Sequence, residues 1–332
     1  YSSNCKLEII DEFAFSDIQI ESIKIPASVT TIKKGAFCTC ENLKDIEIPE
    51  DSNLLSICDI AFMDSSIESL LLPSKLQALE DRWCHFTINL TNIFLMKDNQ
   101  FFSTHYEFII GKSNATQDNF DTLLFAVRDI ENAIIPSFIE IIKASAFNEC
   151  DKLYSIEFED DSKLRVIEED AFSYSAIINI DLPKNLKQIG YQAFRQCEFL
   201  ENIYFPHDSE LQIIDELAFK ESTINSIFIP PHVTLIKEGA FLNCAELQFV
   251  DIPTNSELQV IDDYSFQCTA IECISVPASI KKLGFGAFRY CKQLCILEID
   301  EKSNLEIFSK NIVEGSLNVL VMIPSKIIIS NN

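Results

Sequence analysis

No apolar run in this chain reaches the 18 or so residues that a helix needs to cross a bilayer, so membrane insertion by this segment is not expected. Positive charge is short as well. The chain has 26 Lys and Arg against 51 Asp and Glu, a net charge of −25. Phosphate backbones repel such a surface, which excludes nucleic acid as a natural partner and disfavours anionic membrane. The charge keeps a long apolar chain soluble, and it also suits a basic partner. Only four histidines occur, His85, His105, His207 and His232, and no two of them stand at metal-ligand spacing. Gly111-Lys112-Ser113 has the tail of a phosphate loop, but Tyr106 occupies the place of its first glycine. Glu159-Asp160-Asp161-Ser162 lacks the alternating acid spacing of a calcium loop and reads as a solvated edge. Neither a metal, a cofactor nor a catalytic triad is therefore expected. The chain opens at Tyr1 in mid-coil, because Leu7 and Ile10 precede Leu54 and Ile57 by 47 residues. It reads as a piece of a longer protein.

What is present is a rhythm. Ala-Phe or its equivalent recurs with the ring at Phe15, Phe37, Phe62, Phe147, Phe172, Phe194, Phe219, Phe241, Phe266 and Phe288, at alternating intervals of 22 and 25 residues. A fixed 47-residue unit of two coils is the mark of a solenoid, in which neighbouring coils share one core. The whole of 1–332 reads as one such stack, with 47% apolar residues to fill it. Before each Phe runs a strand of the form Ψxx-Ψ-x-Ψ, usually closed by proline, as in Ile20–Ile25, Leu43–Ile48, Ile177–Leu182 and Ile224–Ile229. Proline has no N–H for a ladder, so it ends the pairing at the same point of each coil. About thirteen such strands predict one parallel sheet, with Ile25, Ile48, Leu72, Leu95, Ile135 and Phe158 in an inward column and short helical or irregular turns opposite. Gly35, Gly239 and Gly286, just before Ala-Phe, mark backbone expected at positive φ. The longer coils carry an Asp-Ser or Asn-Ser pair, such as Asp208-Ser209 and Asn255-Ser256.

One interval breaks the beat. From Cys84, in the Phe position with Trp83 in the Ala position, to Phe147 is 63 residues. The surplus, residues 97–128, holds two apolar runs, Tyr106–Ile110 and Thr122–Ala126. It predicts a β-hairpin projecting from the stack, one whose removal leaves the sheet folded.

The pattern Leu-x-x-Ile-x-Ile-Pro…Ile-x-x-x-Ala-Phe-x-x-Cys-x-x-Leu, kept along nearly the whole chain, resembles the BspA-like, Treponema-type leucine-rich repeats. The inserted segment, with Ile109-Ile110-Gly-Lys-Ser and Leu123-Leu124-Phe-Ala, is similar to one in members expanded in trichomonad parasites. That resemblance implies an α/β leucine-rich repeat superhelix and a non-enzymatic surface or secreted adhesion or antigen protein whose partner is a protein or cell-surface ligand. An intracellular scaffold is the alternative.

Two groups of residues carry expectations of their own. Cys40, Cys150, Cys197, Cys244 and Cys291 follow Phe by three residues, facing inward two coils apart, too far for a disulfide. Cys273 and Cys295 lie on outward positions of adjacent strands, where a link is conceivable. The residue between the last two inward positions of each strand points outward, to an expected concave face. In that column or beside it stand Leu71, Phe94 and Ile134 as one apolar group, and Tyr204 and Phe228 with Tyr154 and Phe249 as another. These are the candidate binding residues.

Overall fold

A computed structural model describes residues 6–330 apart from Ala115 and Glu306, and describes Lys310 by its backbone alone. The chain, read above as one 1–332 stack, divides into two compact units. The first runs to Glu131 and includes Ile141–Lys152; the second comprises Asn132–Glu140 and the chain from Leu153 onward.

Each unit is a β-solenoid, and each regular coil contributes two strands. In the first unit, Ser22–Lys24, Asp45–Glu47, Ser69–Leu72 and Asn92–Leu95 form a four-stranded parallel sheet. In the second, nine strands from Asn132–Ile135 to Leu320–Met322 form another. The thirteen strands expected in one ladder are thus found as tracts of four and nine, interrupted where the extra residues enter. The inward column holds: Ile25, Leu72 and Ile135 are fully buried and Ile48 is 4% exposed, while Leu95 and Phe158 are half-buried.

The side expected to carry helical turns instead carries a second ladder. Two-residue strands such as Thr31–Ile32, Ser56–Ile57, Gln188–Ile189 and Ile213–Ile214 pair in parallel with the same register from coil to coil. The sole helix among the described residues is a 3₁₀ turn, Lys310–Val313. A coil of 22 or 25 residues must reverse direction several times, and a helix of even two turns would consume the length that the second strand needs.

The alternation of coil length has a local cause. In the short coils the carbonyl of the closing proline accepts from the N–H of an inward residue three positions on, as Pro26 does from Val29 and Pro230 from Val233. In the long coils that N–H belongs to a buried serine, Ser52, Ser209 or Ser256. The serine Oγ then accepts from the N–H of the inward leucine two residues later, at 3.2–3.3 Å. Two linked turns replace one, which accounts for two of the three additional residues; the third lies between the Phe and the next strand, where Phe241 precedes Leu247 by six residues and Phe219 precedes Ile224 by five.

After the short strand comes a turn with two left-handed residues per coil. Gly239 (φ 58°) and Asn243 (φ 60°) serve in one coil, Leu217 (φ 55°) and Glu221 (φ 61°) in the coil before. Gly35 and Gly286 also sit at φ near 60°, as the sequence predicts. The turn delivers each Phe into the interior. The rings of Phe172, Phe194, Phe219, Phe241, Phe266 and Phe288 stack at 4.9–5.5 Å, within 8° of parallel. All are fully buried, each contributing about 1.5–3 kcal/mol by burial alone. The column of cysteines locks one turn to the previous one. The thiols of Cys40, Cys197, Cys244 and Cys291 donate to the carbonyls of Phe15, Phe172, Phe219 and Phe266 at 2.9–3.2 Å. All five inward cysteines are free thiols.

Residues 97–128, expected as a projecting hairpin, form three antiparallel strands, Phe102–His105, Phe108–Gly111 and Thr122–Ala126. The third joins the short-strand ladder in parallel, Thr122 opposite Ile141 and Leu123 opposite Ile142. Phe102, Phe108, Ile109, Leu123 and Phe125 are buried. Phe125 stands 5.6 Å from Trp83 and Phe108 5.8 Å from Phe147. The segment is interior structure of the first unit. Its middle strand is apolar on both faces, Phe108-Ile109-Ile110, and a projecting hairpin has only one face to hide.

This is also where the turn-to-turn bonding changes. In regular coils the Phe N–H donates to the Ala carbonyl of the next coil, as Phe37 does to Ala61 and Phe219 to Ala240. Between the Cys84 and Phe147 turns, side chains substitute. Arg128, 1% exposed, donates to the carbonyls of Ala146 (2.9 Å), Ser145 (3.2 Å), Ala126 (3.4 Å) and Cys84 (3.5 Å). Asn148 Oδ1 accepts from Phe86 N at 2.8 Å, and His85 Nδ1 lies 2.8 Å from Ser145 Oγ.

Candidate functional site

The pleat sends alternate strand residues outward, so each sheet presents rows of side chains at the interstrand spacing of about 4.8 Å. In the four-stranded sheet, Leu71 lies opposite Phe94; Phe94 is 57% exposed and Leu71 half-buried. Ile134, expected beside them, is on the first strand of the nine-stranded sheet, opposite Glu157. It belongs to the other unit, because the strand tract breaks between Asn92–Leu95 and Asn132–Ile135.

The nine-stranded sheet brings the second group together more fully. Tyr204 follows Asp181 in register, and Phe228 precedes Asp251. The strands bearing Tyr204 and Phe228 pair with Asn202 opposite Ser226, so the two rings are row neighbours. Phe249 faces Ser226 on the next strand, diagonal to Phe228. Tyr204 and Phe249 are about half exposed, at 54% and 55%, and Phe228 is partly buried between them. Tyr154 is exposed to the same degree but precedes the Ser155–Phe158 strand, two strands from Tyr204. It stands apart from the trio. Reading one row did not reveal a third exposed apolar stretch on the last strands, Ile296, Leu320 and Met322. Ile296 and Leu320 lie two residues earlier in their strands, at the position of Ser226, Phe249 and Cys273, whereas Met322 shares the row of Glu298.

Charge is arranged differently on the two sheets. On the four-stranded sheet Glu47 pairs with Lys24, and just ahead of its strands Glu68 pairs with Lys44 at 3.3 Å. On the nine-stranded sheet no outward strand position holds Lys or Arg. Glu157, Asp181, Asp251 and Glu298 are exposed there, and the ion pairs of that unit lie elsewhere, in loops and turns such as Lys184–Asp208, Lys187–Glu210 and Arg289–Glu314.

The histidine, thiol and acidic groups with chemical potential are placed for structure. His85 and Ser145 are both buried, at 8% and 1% exposure, and no substrate reaches their hydrogen bond. Burial pushes the Cys197 and Cys244 thiols up to about 12, far from a reactive thiolate. Cys84 and Cys150 are raised to about 11 by burial in spite of the Arg128 guanidinium beside them. Cys273 and Cys295 are exposed and free. Cys273 lies opposite Ile296, one residue out of register with Cys295. Ser113 donates its N–H and Oγ to the Asp121 carboxylate at 2.7 and 2.6 Å, occupying the pseudo-phosphate tail with an internal acid. Glu159-Asp160-Asp161 is an exposed turn, and no group of metal-ligating side chains forms among the described residues. No helix among them is long and apolar enough to cross a membrane.

Comparison with known proteins agrees with this geometry. A leucine-rich repeat protein from Bacteroides ovatus has the same fold, at 20% identity, covering 96% of this chain and 83% of its own, with a TM-score of 0.58. The pneumococcal vaccine antigen PcpA superposes at a TM-score of 0.63, 20% identity, covering 97% of this chain and 72% of its own. A leucine-rich repeat protein from Eubacterium ventriosum superposes at 0.64, again with 20% identity, over 85% of this chain and 79% of its own. No protein of curated function matches the sequence. The family model for the BspA type leucine rich repeat region (6 copies) matches residues 4–114, 119–248 and 212–332. With that coverage and with two ladders per coil around a Phe and Cys interior, the chain belongs to the BspA type leucine rich repeat family.

Proposed function

We propose that this chain is a non-enzymatic protein-binding module displayed on the cell surface or secreted, and that it holds its ligand on the outward face of the nine-stranded sheet. The observation that carries the reading is the trio Tyr204, Phe228 and Phe249 on adjacent strands of a parallel ladder, with Tyr204 and Phe249 exposed and Phe228 partly buried between them. Solvent-facing aromatics in contiguous rows are characteristic of interfaces, since large rings add contact area at low entropy cost. The ladder beneath them needs no rearrangement on binding, which lowers the cost of association. Display outside the cell is supported by the vaccine antigen that shares the fold. The buried ionisable groups described above favour a structural role over an enzymatic one. Leu71 and Phe94 form a second, smaller candidate surface in the other unit.

The test replaces Tyr204 and Phe228 together with Ser in the full chain and measures binding to intact host cells. Both rings stand on the solvent side, Tyr204 exposed and Phe228 partly buried, so the melting temperature should fall only slightly while binding is lost. Unaltered binding moves the interface off this face. Antibody labelling of intact producing cells tests the display: labelling only after permeabilisation leaves an intracellular scaffold.

A further inference from the structure

The row containing Tyr204 and Phe228 has a charge pattern that says more about the ligand. Along consecutive strands the row reads Glu157, Asp181, Tyr204, Phe228, Asp251, Ser275, Glu298. Two aromatic rings are thus bracketed by a carboxylate on each side, with a further acid beyond each bracket. All four acids are exposed. Only Glu298 has a polar side-chain neighbour among the described residues, the Ser275 hydroxyl at 3.3 Å. The contrast with the other unit is informative: there the outward Glu47 is neutralised by Lys24 on the neighbouring strand. A sheet face from which every cation is excluded, in a chain with 26 of them, is complementary to an external cation.

Spacing narrows the ligand further. Asp181 and Asp251 are three interstrand steps apart, about 14 Å at 4.8 Å per step. In an extended peptide, residues i and i+4 are separated by about 13–14 Å and point to the same side, together with i+2. An extended chain laid across the strands would therefore place i over Asp181, i+4 over Asp251 and i+2 over the seam between Tyr204 and Phe228. We propose that this face recognises an extended basic segment of the form basic-x-apolar-x-basic, its two cations on Asp181 and Asp251 and its apolar residue on the Tyr204–Phe228 pair. Arginine suits the outer positions, because its planar guanidinium pairs with a carboxylate and also lies flat on an aromatic ring. This inference rests on the binding face proposed above and specifies the chemistry of its partner.

The experiment uses the full chain and two capped peptides of identical composition, Gly-Arg-Ser-Leu-Ser-Arg-Gly and Gly-Arg-Arg-Ser-Leu-Ser-Gly, titrated at low ionic strength. The first has the i, i+2, i+4 spacing and the second puts the cations side by side. The spaced peptide should bind at least about threefold tighter, the order expected for one exposed charge pair gained or lost. Asp181→Asn with Asp251→Asn should abolish that preference and leave the melting temperature unchanged, since both acids are exposed. Equal binding of the two peptides overturns the inference in favour of undirected attraction to an acidic surface. So does a preference that survives the double Asn variant, or the absence of binding by either peptide. The Tyr204→Ser, Phe228→Ser variant separates the two readings. If it loses cell binding while the peptides show no preference, the face stands and only its ligand chemistry falls.

Discussion

Arg128→Met tests how the first unit is held together across its irregular coil. The substitution keeps most of the side-chain stem and removes the donors, along with the guanidinium that lies 4.5 Å over the Phe125 ring. The carbonyls of Ala146 and Ser145 then lose charge-assisted bonds of 2.9 and 3.2 Å, about 1.5–3 kcal/mol each, although each keeps a backbone donor, Ala126 N for the first and Asn148 N for the second. The longer contacts to Ala126 and Cys84 at 3.4 and 3.5 Å add little. Relief works in the opposite direction, because among the described residues Arg128 Nε has no partner and the buried charge has no carboxylate in hydrogen-bond contact. That relief is worth roughly 1–3 kcal/mol. The difference is a net loss of about 2–3 kcal/mol, with the carbonyls deciding the sign. The chain has a single tryptophan, and Trp83 stands 5.6 Å from Phe125, so its fluorescence reports on this site during urea unfolding. The Trp83 midpoint should fall in Arg128→Met, and by less in Arg128→Lys, which keeps one charged donor but not the fork. A Trp83 transition identical to that of the unchanged protein would refute the view that this guanidinium replaces the turn-to-turn ladder.

Glu149 supplies a pH test in the same region. Burial raises its carboxyl to about 7, opposed by Arg128 and assisted by Asp151 and Asp64. A carboxyl raised in the fold holds a proton that the unfolded chain has already released, so stability declines as pH rises from about 4.5 to about 7. Glu149→Gln should flatten that decline, and an unchanged pH profile of the Trp83 transition would count against it. Thiol alkylation at pH 8 on the native protein should label Cys273 and Cys295 quickly while Cys197 and Cys244, held at about 12 by burial, react only after unfolding. Mass mapping of the modified residues decides, and a disulfide between any two inward cysteines would refute the stacking. Deleting residues 97–128 removes Phe108, Phe125 and Arg128 from the interior. It should abolish the cooperative Trp83 transition, and a deletion that melts cooperatively would restore the view of this segment as an appendage.

Much of the candidate site was legible in the linear pattern. Strand alternation alone put Tyr204 and Phe228 outward, and the 47-residue period put them on neighbouring strands, because a solenoid converts sequence distance into spatial distance at a constant rate. Tyr154 lies two strands from Tyr204, and Ile134 lies on the first strand of the nine-stranded sheet, in the unit that does not contain Leu71 and Phe94. A row depends on the position within a strand as well as on which strand, and a group spanning the irregular coil depends on that coil's geometry.

The repeat with its inward Phe and Cys columns, the proline stops and the left-handed turns at Gly35, Gly239 and Gly286 can all be read from the residues in order. Each follows from interactions within a coil or with the next one, repeated often enough to identify themselves. Tertiary structure was needed wherever the repeat fails. Arg128 meets Cys84, 44 residues away, and His85 meets Ser145 over 60 residues. Neither distance is a multiple of the period, so no periodic argument reaches them. Nor does alternation show that Phe108-Ile109-Ile110 is buried on both faces. A strand's second face is settled by what packs on it, and here that is chain lying far along the sequence.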